Sequence, residues 1–188
     1  IAFIQCVGSR DARIGKTYCS SVCCMYAVKN AMLIKEHLEN VKVYIFYIDL
    51  RAYGKGFEEF YKRAEKEFGI KFICGRVARI EEDYKTGNLK IMFENLDEGV
   101  ISTLECDLVV LSVGLTPSEE TIRISDIFGL KIDDCGFFMS KNEINPVEST
   151  TQGIFFAGCS LAPKDIPDSV AEASAAAMKA INYIVSGG

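Results

Sequence analysis

The stretch AFIQCVGSRDARIGKTYCSSVCCMYAVKNAMLIKEHL, residues 2–38, decides the fold because it joins an apolar strand to a helix. Its first part, AFIQCVG, is a short apolar run that ends at a glycine, which is typical of a buried parallel strand. The polar loop SRDARIGKT follows, and from Ser20 or Ser21 the apolar spacing favours a helix. The stretch therefore predicts the opening strand, loop and helix of an α/β domain.

The segments downstream predict the rest of that domain. VKVYIFYI at 41–48 indicates a second buried strand, and FEEFYKRAEKEF at 57–68 indicates an amphipathic helix. IKFICGRVARIEE, LKIMFEN and VISTLEC predict a meander of three or four strands, and LVVLSVG at 108–114 predicts a last buried strand. This order is typical of an α/β, three-layer dinucleotide-binding fold, Rossmann-like and similar to NAD(P) domains, with a β-meander.

The pattern changes after residue 117. Residues 119–128 favour a weak helix, residues 131–152 are irregular, and GIFFAGCS at 153–160 predicts one more buried strand. The loop APKDIPDS then leads into an alanine-rich helix, for which we expect Ser169 or Asp168 to be the cap.

Composition narrows the classes of function. The chain has 188 residues, 49% of them apolar, which is enough for one good core or two small domains. A net charge of −5 argues against nucleic acid or an anionic membrane as a partner. No apolar run reaches the length of a membrane span and no secretory leader is visible, so we expect a cytoplasmic protein. The first residue, Ile1, enters a strand directly, and we interpret the chain as a piece of a longer protein.

The cysteines are unevenly distributed. Four of the eight fall within the first 24 residues, whereas Cys74, Cys106, Cys135 and Cys159 are scattered among apolar neighbours. The chain is too long and too rich in core residues to need a disulfide framework. This distribution indicates a metal or redox site in a reducing compartment.

Three kinds of site are compatible with the early cysteines, which are Cys6, Cys19, Cys23 and Cys24. A 4Fe–4S cluster takes four thiolates, and the free amides of a helix N-terminus favour its negative charge. Zinc is less favoured because the chain lacks the usual pair of CxxC knuckles. A disulfide or redox pair of Cys19 and Cys23 is the third alternative. Because a strand end and a helix start meet at one edge of a parallel sheet, we expect the four thiols to converge.

The sequence of the loop after the first strand also argues against binding of a nicotinamide cofactor. A dinucleotide-binding domain carries GxGxxG here, so that the pyrophosphate lies on backbone amides of the helix N-terminus. This chain has GSRDARIGKTYCSSVCC instead, with glycines at the wrong spacing and bulky residues between them. We therefore expect a thiolate site in place of the phosphate site and no binding of NAD(P)H.

Two segments of the second half have the form of flavoprotein motifs. DLVVLSVGLTPS, which contains Gly114 and Pro117, has the form that closes the pyridine-nucleotide domain of two-domain flavoprotein reductases. STTQGIFFAGCS has the form of the last flavin-domain strand, with Cys159 in place of the usual acid after Gly158. We accordingly predict an NAD(P)-domain-like domain carrying the cysteine cluster at 1–117, and a returning segment of an FAD-binding domain at 118–188.

The chain resembles the heterodisulfide reductase A-subunit family of methanogens and other anaerobes. The stretches that carry the resemblance are CVGSRD, YCSSVCCMYAVKNA, VYIFYIDLRAYGKGFEEFY, LVVLSVGLTPS and GIFFAGCSLAPKDIPDSVAEASAAA. The resemblance runs from residue 1 to about residue 184. It implies a thioredoxin-reductase-like flavoprotein that carries FAD and 4Fe–4S clusters. It also implies flavin-based electron bifurcation with partner subunits and an electron-donating hydrogenase or dehydrogenase.

The resemblance also implies site residues. Cys6, Cys19, Cys23 and Cys24 would ligate a cluster near the flavin. The residues implied to line the FAD are Gly158, Cys159, Lys164, Asp165, Ile166, Pro167 and Ser169. Lys29, five residues beyond Cys24, is a further candidate for a flavin edge, with a solvated helix lysine as the alternative.

The family's amino-terminal half of the flavin domain and its ferredoxin-like insertions are absent from this sequence. We therefore expect a chain that is inactive alone, holds little FAD because its site is incomplete, and can dimerise through the uncovered face. The alternative functions are a fragment of an NAD(P)H-dependent FAD disulfide reductase, and a zinc-stabilised interaction module.

Overall fold

The structure is a computed structural model that describes residues 1–187 of the chain. The chain divides into two compact units. The first comprises Ile1–Gly8 and Cys23–Gly114, and the second comprises Ser9–Val22 together with the residues from Leu115 onwards. This division differs from the predicted boundary at residue 117 chiefly in the loop 9–22, which groups with the tail.

The first unit is a six-stranded sheet with helices in its crossover connections. The strands are β1 (Ala2–Val7), β2 (Tyr44–Tyr47), β3 (Lys71–Glu82), β4 (Leu89–Asn95), β5 (Val100–Cys106) and β6 (Val109–Val113). They lie in the order β5-β4-β3-β2-β1-β6, and the helices α1 (Cys23–His37) and α2 (Phe57–Lys66) follow β1 and β2. Strands β1, β2, β3 and β6 are parallel, whereas β4 and β5 add an antiparallel meander. The predicted α/β fold with a meander is confirmed, with three meander strands.

Strand β3 pairs with one neighbour in parallel and with the other in antiparallel orientation. Its first part, from Lys71 to Cys74, pairs in parallel with β2, and its remainder pairs antiparallel with β4. Gly75 stands at the junction, where a Cβ atom would lie 2.3 Å from the backbone oxygen of Glu94. Glycine is therefore required here because the two backbones approach too closely for any side chain.

Two apolar clusters stabilise the sheet, one on each face. Phe3, Ile45 and Val110 pack with α1 and α2 on one face, whereas Ile4, Phe46 and Phe93 pack on the other. This alternation follows from the period of two along each strand. It assigns the residues of the regular stretch Ala2–Ile4 of β1, and their partners on β6, to a face.

The second unit contains less regular structure. Its α-helices are α3 (Thr121–Phe128) and α4 (Ile166–Val185), and short 3₁₀ turns cover Ala12–Ile14 and Gly158–Ser160. The predicted strand at 153–160 is wrong. The described residues give it a single bridge between Glu148 and Phe155, because no neighbouring strand is present to extend the ladder.

The predicted cap of α4 also needs correction. The helix begins at Ile166, and the carboxylate of Asp165, not Asp168 or Ser169, is the N-cap, accepting a hydrogen bond from the amide of Asp168 at 2.8 Å. Pro167 falls in the first turn, where its missing N–H costs no hydrogen bond. Among residues 1–187, no helix combines the length and hydropathy needed to cross a lipid bilayer.

Candidate cofactor sites

The N-terminus of α1 places two thiols at the sheet edge of the first unit. Cys23 and Cys24 are the first two residues of the helix, and their exposed fractions are 1% and 4%. The helix therefore begins two or three residues after the predicted start at Ser20 or Ser21. The amides of this turn have no intrahelical acceptor, so the turn favours negative charge on a thiolate.

Cys6 lies in β1 of the same unit with an unusual backbone. Its φ angle is 60°, in the left-handed region that residues other than glycine seldom adopt. The register between β1 and β6 shifts between Ile4 and Val7, so the strand is irregular where Cys6 lies. Backbone strain of this kind is concentrated at functional sites.

Cys19 belongs to the loop of the second unit. Its Sγ atom accepts a hydrogen bond from the amide of Ser21 at 3.3 Å, and Ser21 also has a left-handed φ of 61°. The loop is anchored within its unit, because the Tyr18 hydroxyl donates to the Leu115 carbonyl at 3.0 Å and the Leu115 amide donates to Ser20 Oγ at 2.9 Å. An amide directed at sulfur stabilises a thiolate.

The sulfur ligands that Cys6, Cys19, Cys23 and Cys24 could supply fit a metal cluster held by thiolates. All eight cysteines of the chain are thiols rather than disulfides. The buried side chains of Gln5, Ser9 and Ser112 hold polar atoms that have no hydrogen-bond partner. Within residues 1–187, however, no group of three or more His, Cys, Asp or Glu side chains is gathered to hold a metal ion as the chain stands.

Tyr26 lies one turn into α1, next to the two helix cysteines. Burial raises the pKa of its hydroxyl, and negative charge on the nearby Cys23 and Cys24 sulfur atoms would raise this pKa further. The Ser112 hydroxyl lies close enough to lower the same pKa, yet the two groups do not meet hydrogen-bond geometry, so Ser112 Oγ is unsatisfied. Elsewhere in this unit, the predicted flavin residue Lys29 is exposed on α1, and the amide of Gly114 donates to the Val7 carbonyl at 2.7 Å.

A second candidate site lies at the turn before α4. The amide of Gly158 donates to Glu172 Oε2 at 2.9 Å, and Lys164 Nζ lies 2.9 Å from Glu172 Oε1. The same ammonium group donates to the Gly158 carbonyl at 3.4 Å. The side chains of Lys164 and Glu172 are only 17% and 20% exposed. The network closes the turn on α4 and fixes Gly158, whose φ is +64° and which has Ser169 Oγ 3.5 Å from the position of a Cβ.

The other predicted flavin residues in this unit surround the same turn. The Cys159 thiol is exposed and donates weakly to the Lys164 carbonyl at 3.6 Å, and Ser169 Oγ donates to the Asp165 carbonyl at 2.7 Å. Ile166 is 79% exposed, and Pro167 opens the helix beside it. Pro117 packs against Gly136. The structure thus brings together seven of the predicted residues, from Gly158 to Ser169.

Two residues of these sites, Glu172 and Gln5, carry no clear signal in the sequence. Glu172 lies seven residues beyond the helix cap, so its approach to Gly158 depends on the path of the intervening loop. Gln5 lies within an apolar run and resembles an ordinary strand residue. The signal that could have drawn attention to it is a buried amide in a strand that is otherwise apolar.

A largely parallel sheet whose first strand leads through a loop into a helix is the architecture of a dinucleotide-binding domain. The chain belongs to the pyridine nucleotide-disulphide oxidoreductase family, whose profile matches residues 10–177. Membership supports a role as an FAD-dependent oxidoreductase.

Relatives agree with this assignment. The chain is 50% identical over 178 residues to the iron-sulfur A-subunit of CoB–CoM heterodisulfide reductase from Methanocaldococcus jannaschii, covering 94% of this chain and 27% of the relative. It is 47% identical over 188 residues to the A-subunit of H2:CoB-CoM heterodisulfide,ferredoxin reductase from Methanothermobacter thermautotrophicus, covering 100% of this chain and 28% of the relative. The predicted resemblance to the heterodisulfide reductase A-subunit is confirmed. The chain spans about a quarter of the length of these curated relatives.

Among solved structures, the fold is similar to that of a thioredoxin reductase from T. acidophilum. The TM-score is 0.66 at 19% identity, with 100% of this chain and 52% of the reductase covered. At this identity the likeness concerns the fold, and it confirms the predicted thioredoxin-reductase-like architecture.

Proposed function

We propose that the chain is the electron-transfer portion of an iron–sulfur flavoprotein that acts in heterodisulfide reduction. The observation that carries the proposal is the replacement of the phosphate-binding loop by thiols. Cys23 and Cys24 occupy the helix N-terminus where a dinucleotide pyrophosphate would lie on backbone amides. The names of the two relatives, one an iron-sulfur subunit and the other a subunit of a heterodisulfide,ferredoxin reductase, support the same function.

The ligands of the proposed 4Fe–4S cluster are Cys6, Cys19, Cys23 and Cys24. Cys19 lies four residues before Cys23 in the sequence, so the chain itself limits the separation of these two thiols. The left-handed backbone at Cys6 and Ser21 and the amide donated to Cys19 Sγ support ligand roles. When bound, such a cluster passes one electron at a time. The protein's part is to hold the thiolates and to offset their charge with the α1 amides.

The FAD side of the site would be formed by Gly158, Cys159, Lys164, Asp165, Ile166, Pro167 and Ser169, with Lys29, Gly114 and Pro117 as further contacts. FAD supplies one- and two-electron chemistry when it is bound. Glu172 neutralises Lys164 and holds the Gly158 amide, so the turn is pre-organised for a ligand. The N-terminus of α4 favours partial negative charge on whatever it faces. Because the chain spans about a quarter of its relatives, we expect the isolated chain to hold FAD weakly.

The whole protein would work with other heterodisulfide reductase subunits and with an electron-donating hydrogenase or dehydrogenase. Its reaction would be reduction of the CoM-S-S-CoB disulfide coupled to flavin-based electron bifurcation, as in methanogenesis. Eight thiols without a disulfide suit the reducing cytoplasm.

The experiment that tests this function is metal analysis of the chain after anaerobic purification and reconstitution with iron and sulfide. We expect about four iron and four sulfide per chain, together with a visible absorption band that bleaches on reduction. Cys24→Ser should lose most of the iron. The matched control is Cys74→Ser, because the Cys74 thiol lies in β3 and contacts the Ile48 carbonyl.

Other outcomes would contradict the proposal. Stoichiometric zinc with no iron would favour a zinc-stabilised module. An equal loss of iron in Cys24→Ser and Cys74→Ser would show that iron binds thiols at random.

A further inference from the structure

Gln5 and Ser112 lie on adjacent strands, on the sheet face that α1 covers. The parallel register pairs Ile4 with Leu111 and shifts before Val7 pairs with Val113, so Gln5 and Ser112 follow the last regular pair on two adjacent strands. Phe3 and Val110, two positions earlier on each strand, belong to the cluster beneath α1. Because side chains alternate with period two, Gln5 and Ser112 share that face.

Both side chains are buried and have polar atoms that form no hydrogen bond. Gln5 is 7% exposed and Ser112 is fully buried. Neither the Oε1 nor the Nε2 atom of Gln5 has a hydrogen-bond partner, and Ser112 Oγ has none in hydrogen-bond geometry although the Tyr26 hydroxyl is close to it. Buried amides and hydroxyls are nearly always hydrogen-bonded, since leaving them unpaired is costly. An apolar residue of similar size, such as Leu, would avoid that cost, so these polar groups point to a ligand.

The proposed thiolate ligands of this unit lie on β1 itself and on the helix that packs against β1 and β6. Gln5 directly precedes Cys6, and α1, which packs on both β1 and β6, opens with the buried Cys23 and Cys24. In a regular strand Cys6 would face away from Gln5. Its φ of 60° and the register shift at this point break that alternation.

We propose that the Gln5 amide and the Ser112 hydroxyl are hydrogen-bond donors to the sulfur atoms of the cluster held by the cysteines. This inference rests on the proposed function and names residues that position and tune the site rather than ligate it. Hydrogen bonds to sulfur stabilise the more negative, reduced form, so they raise the reduction potential. Gln5 and Ser112 therefore set the potential at which the site accepts an electron.

The test compares Gln5→Leu with Gln152→Leu, which makes the same change at an exposed position. In the full chain reconstituted with iron and sulfide, the midpoint potential is measured by redox titration followed by electron paramagnetic resonance. We expect Gln5→Leu to shift it to more negative values, while Gln152→Leu matches the wild type. Ser112→Ala should shift it in the same direction, and it supplies the measurement if Gln5→Leu takes up too little iron.

A second readout uses the metal-free chain. Without iron, Gln5→Leu removes two unsatisfied polar atoms from the interior, so its urea unfolding midpoint should rise above that of the wild type. With the cluster bound, the unfolding midpoint of the wild type should no longer lie below that of Gln5→Leu, because the Gln5 amide and the Ser112 hydroxyl then donate to cluster sulfur atoms. An ordinary structural role for Gln5 predicts the opposite, a lower midpoint in the metal-free variant.

The outcomes separate the two ideas. A wild type that binds no iron overturns the cluster and this inference with it. Iron at full occupancy with the same midpoint potential in wild type, Gln5→Leu and Ser112→Ala overturns the inference alone and leaves the cluster standing.

Discussion

Three residues other than glycine in the described chain adopt a left-handed backbone, and all of them lie within the first 21 positions. They are Cys6, Arg10 and Ser21. The cysteines could be assigned to a candidate site from the sequence, since the residue type and its clustering carry that information. Sequence patterns could not predict the φ angles, the unpaired amide of Gln5 or the contact of Glu172 with Gly158. Each of these depends on residues that approach one another only in the folded chain.

At Gly75, we predict that substitution by Ala destabilises the first unit by about 1–3 kcal/mol, the usual cost of overpacking. The added Cβ atom would lie 2.3 Å from the backbone oxygen of Glu94, which cannot move without breaking the β3–β4 ladder. Urea unfolding followed by circular dichroism measures the loss. Lys90→Ala, an exposed change on β4, is the control and should stay within about 0.5 kcal/mol of wild type. Equal midpoints for the two variants would contradict the steric argument.

Two tyrosines predict a loss of stability at alkaline pH. Burial raises the pKa of Tyr47 and Tyr61 above the ordinary value of 10.0. Each hydroxyl therefore ionises more readily in the unfolded chain. The stability due to the neutral form is complete below the unfolded pKa and is lost as pH rises through the folded pKa.

We expect the double variant Tyr47→Phe, Tyr61→Phe to lose less unfolding free energy than wild type between about pH 9 and about pH 11. Denaturant unfolding at several pH values measures the slope. Tyr84→Phe is the control, because Tyr84 is 90% exposed. Identical slopes for the double variant and wild type would show that other groups cause the alkaline loss.

At the scale of elements, the buried strands and the crossover helices were predictable because their patterns are local. Each run of apolar residues bounded by glycine or polar positions carries its own signal. The predictions were wrong where secondary structure depends on another strand or on a capping residue. GIFFAGCS has the composition of a strand but lacks a ladder partner in the described residues, and α4 begins before Pro167 because Asp165 supplies the cap.

The corrected cap leads to a test on α4. Asp165→Ala removes the acceptor for the Asp168 amide and should cost about 0.5–2 kcal/mol, the range for N-cap residues. Asp168→Ala keeps that acceptor and loses an interaction with the helix dipole, worth about 0.3–1 kcal/mol. Thermal unfolding of the two variants measures the difference. A larger loss for Asp168→Ala would restore the cap first predicted from the sequence.

At the scale of the whole molecule, the family and the fold were predictable from the order of elements and from long motifs. The division of the chain was less so, since the loop 9–22 groups with the tail although it is flanked in sequence by β1 and α1. The residues immediately before and after this loop in the sequence both belong to the first unit. The grouping of the loop is determined by contacts such as that between Tyr18 and Leu115, which local patterns do not report.

The composition of that loop predicts that the chain binds neither NADPH nor NADH with useful affinity. Without the glycines of GxGxxG, a pyrophosphate would meet side chains instead of backbone amides. Isothermal titration of the chain with either nucleotide should give no measurable heat at micromolar concentrations. Micromolar binding would mean that the phosphate site has been retained in another form.

The double pairing of β3 has a consequence for folding kinetics. The meander of β3, β4 and β5 joins neighbouring segments, and contacts of this kind form within about 1–10 μs in isolated hairpins. The pairing of β1 with β6 instead joins Ala2 to Val109, and such distant contacts slow folding. The carboxyl-terminal part of β3 should therefore fold early, and the nascent meander should serve as a template on which the parallel strands assemble.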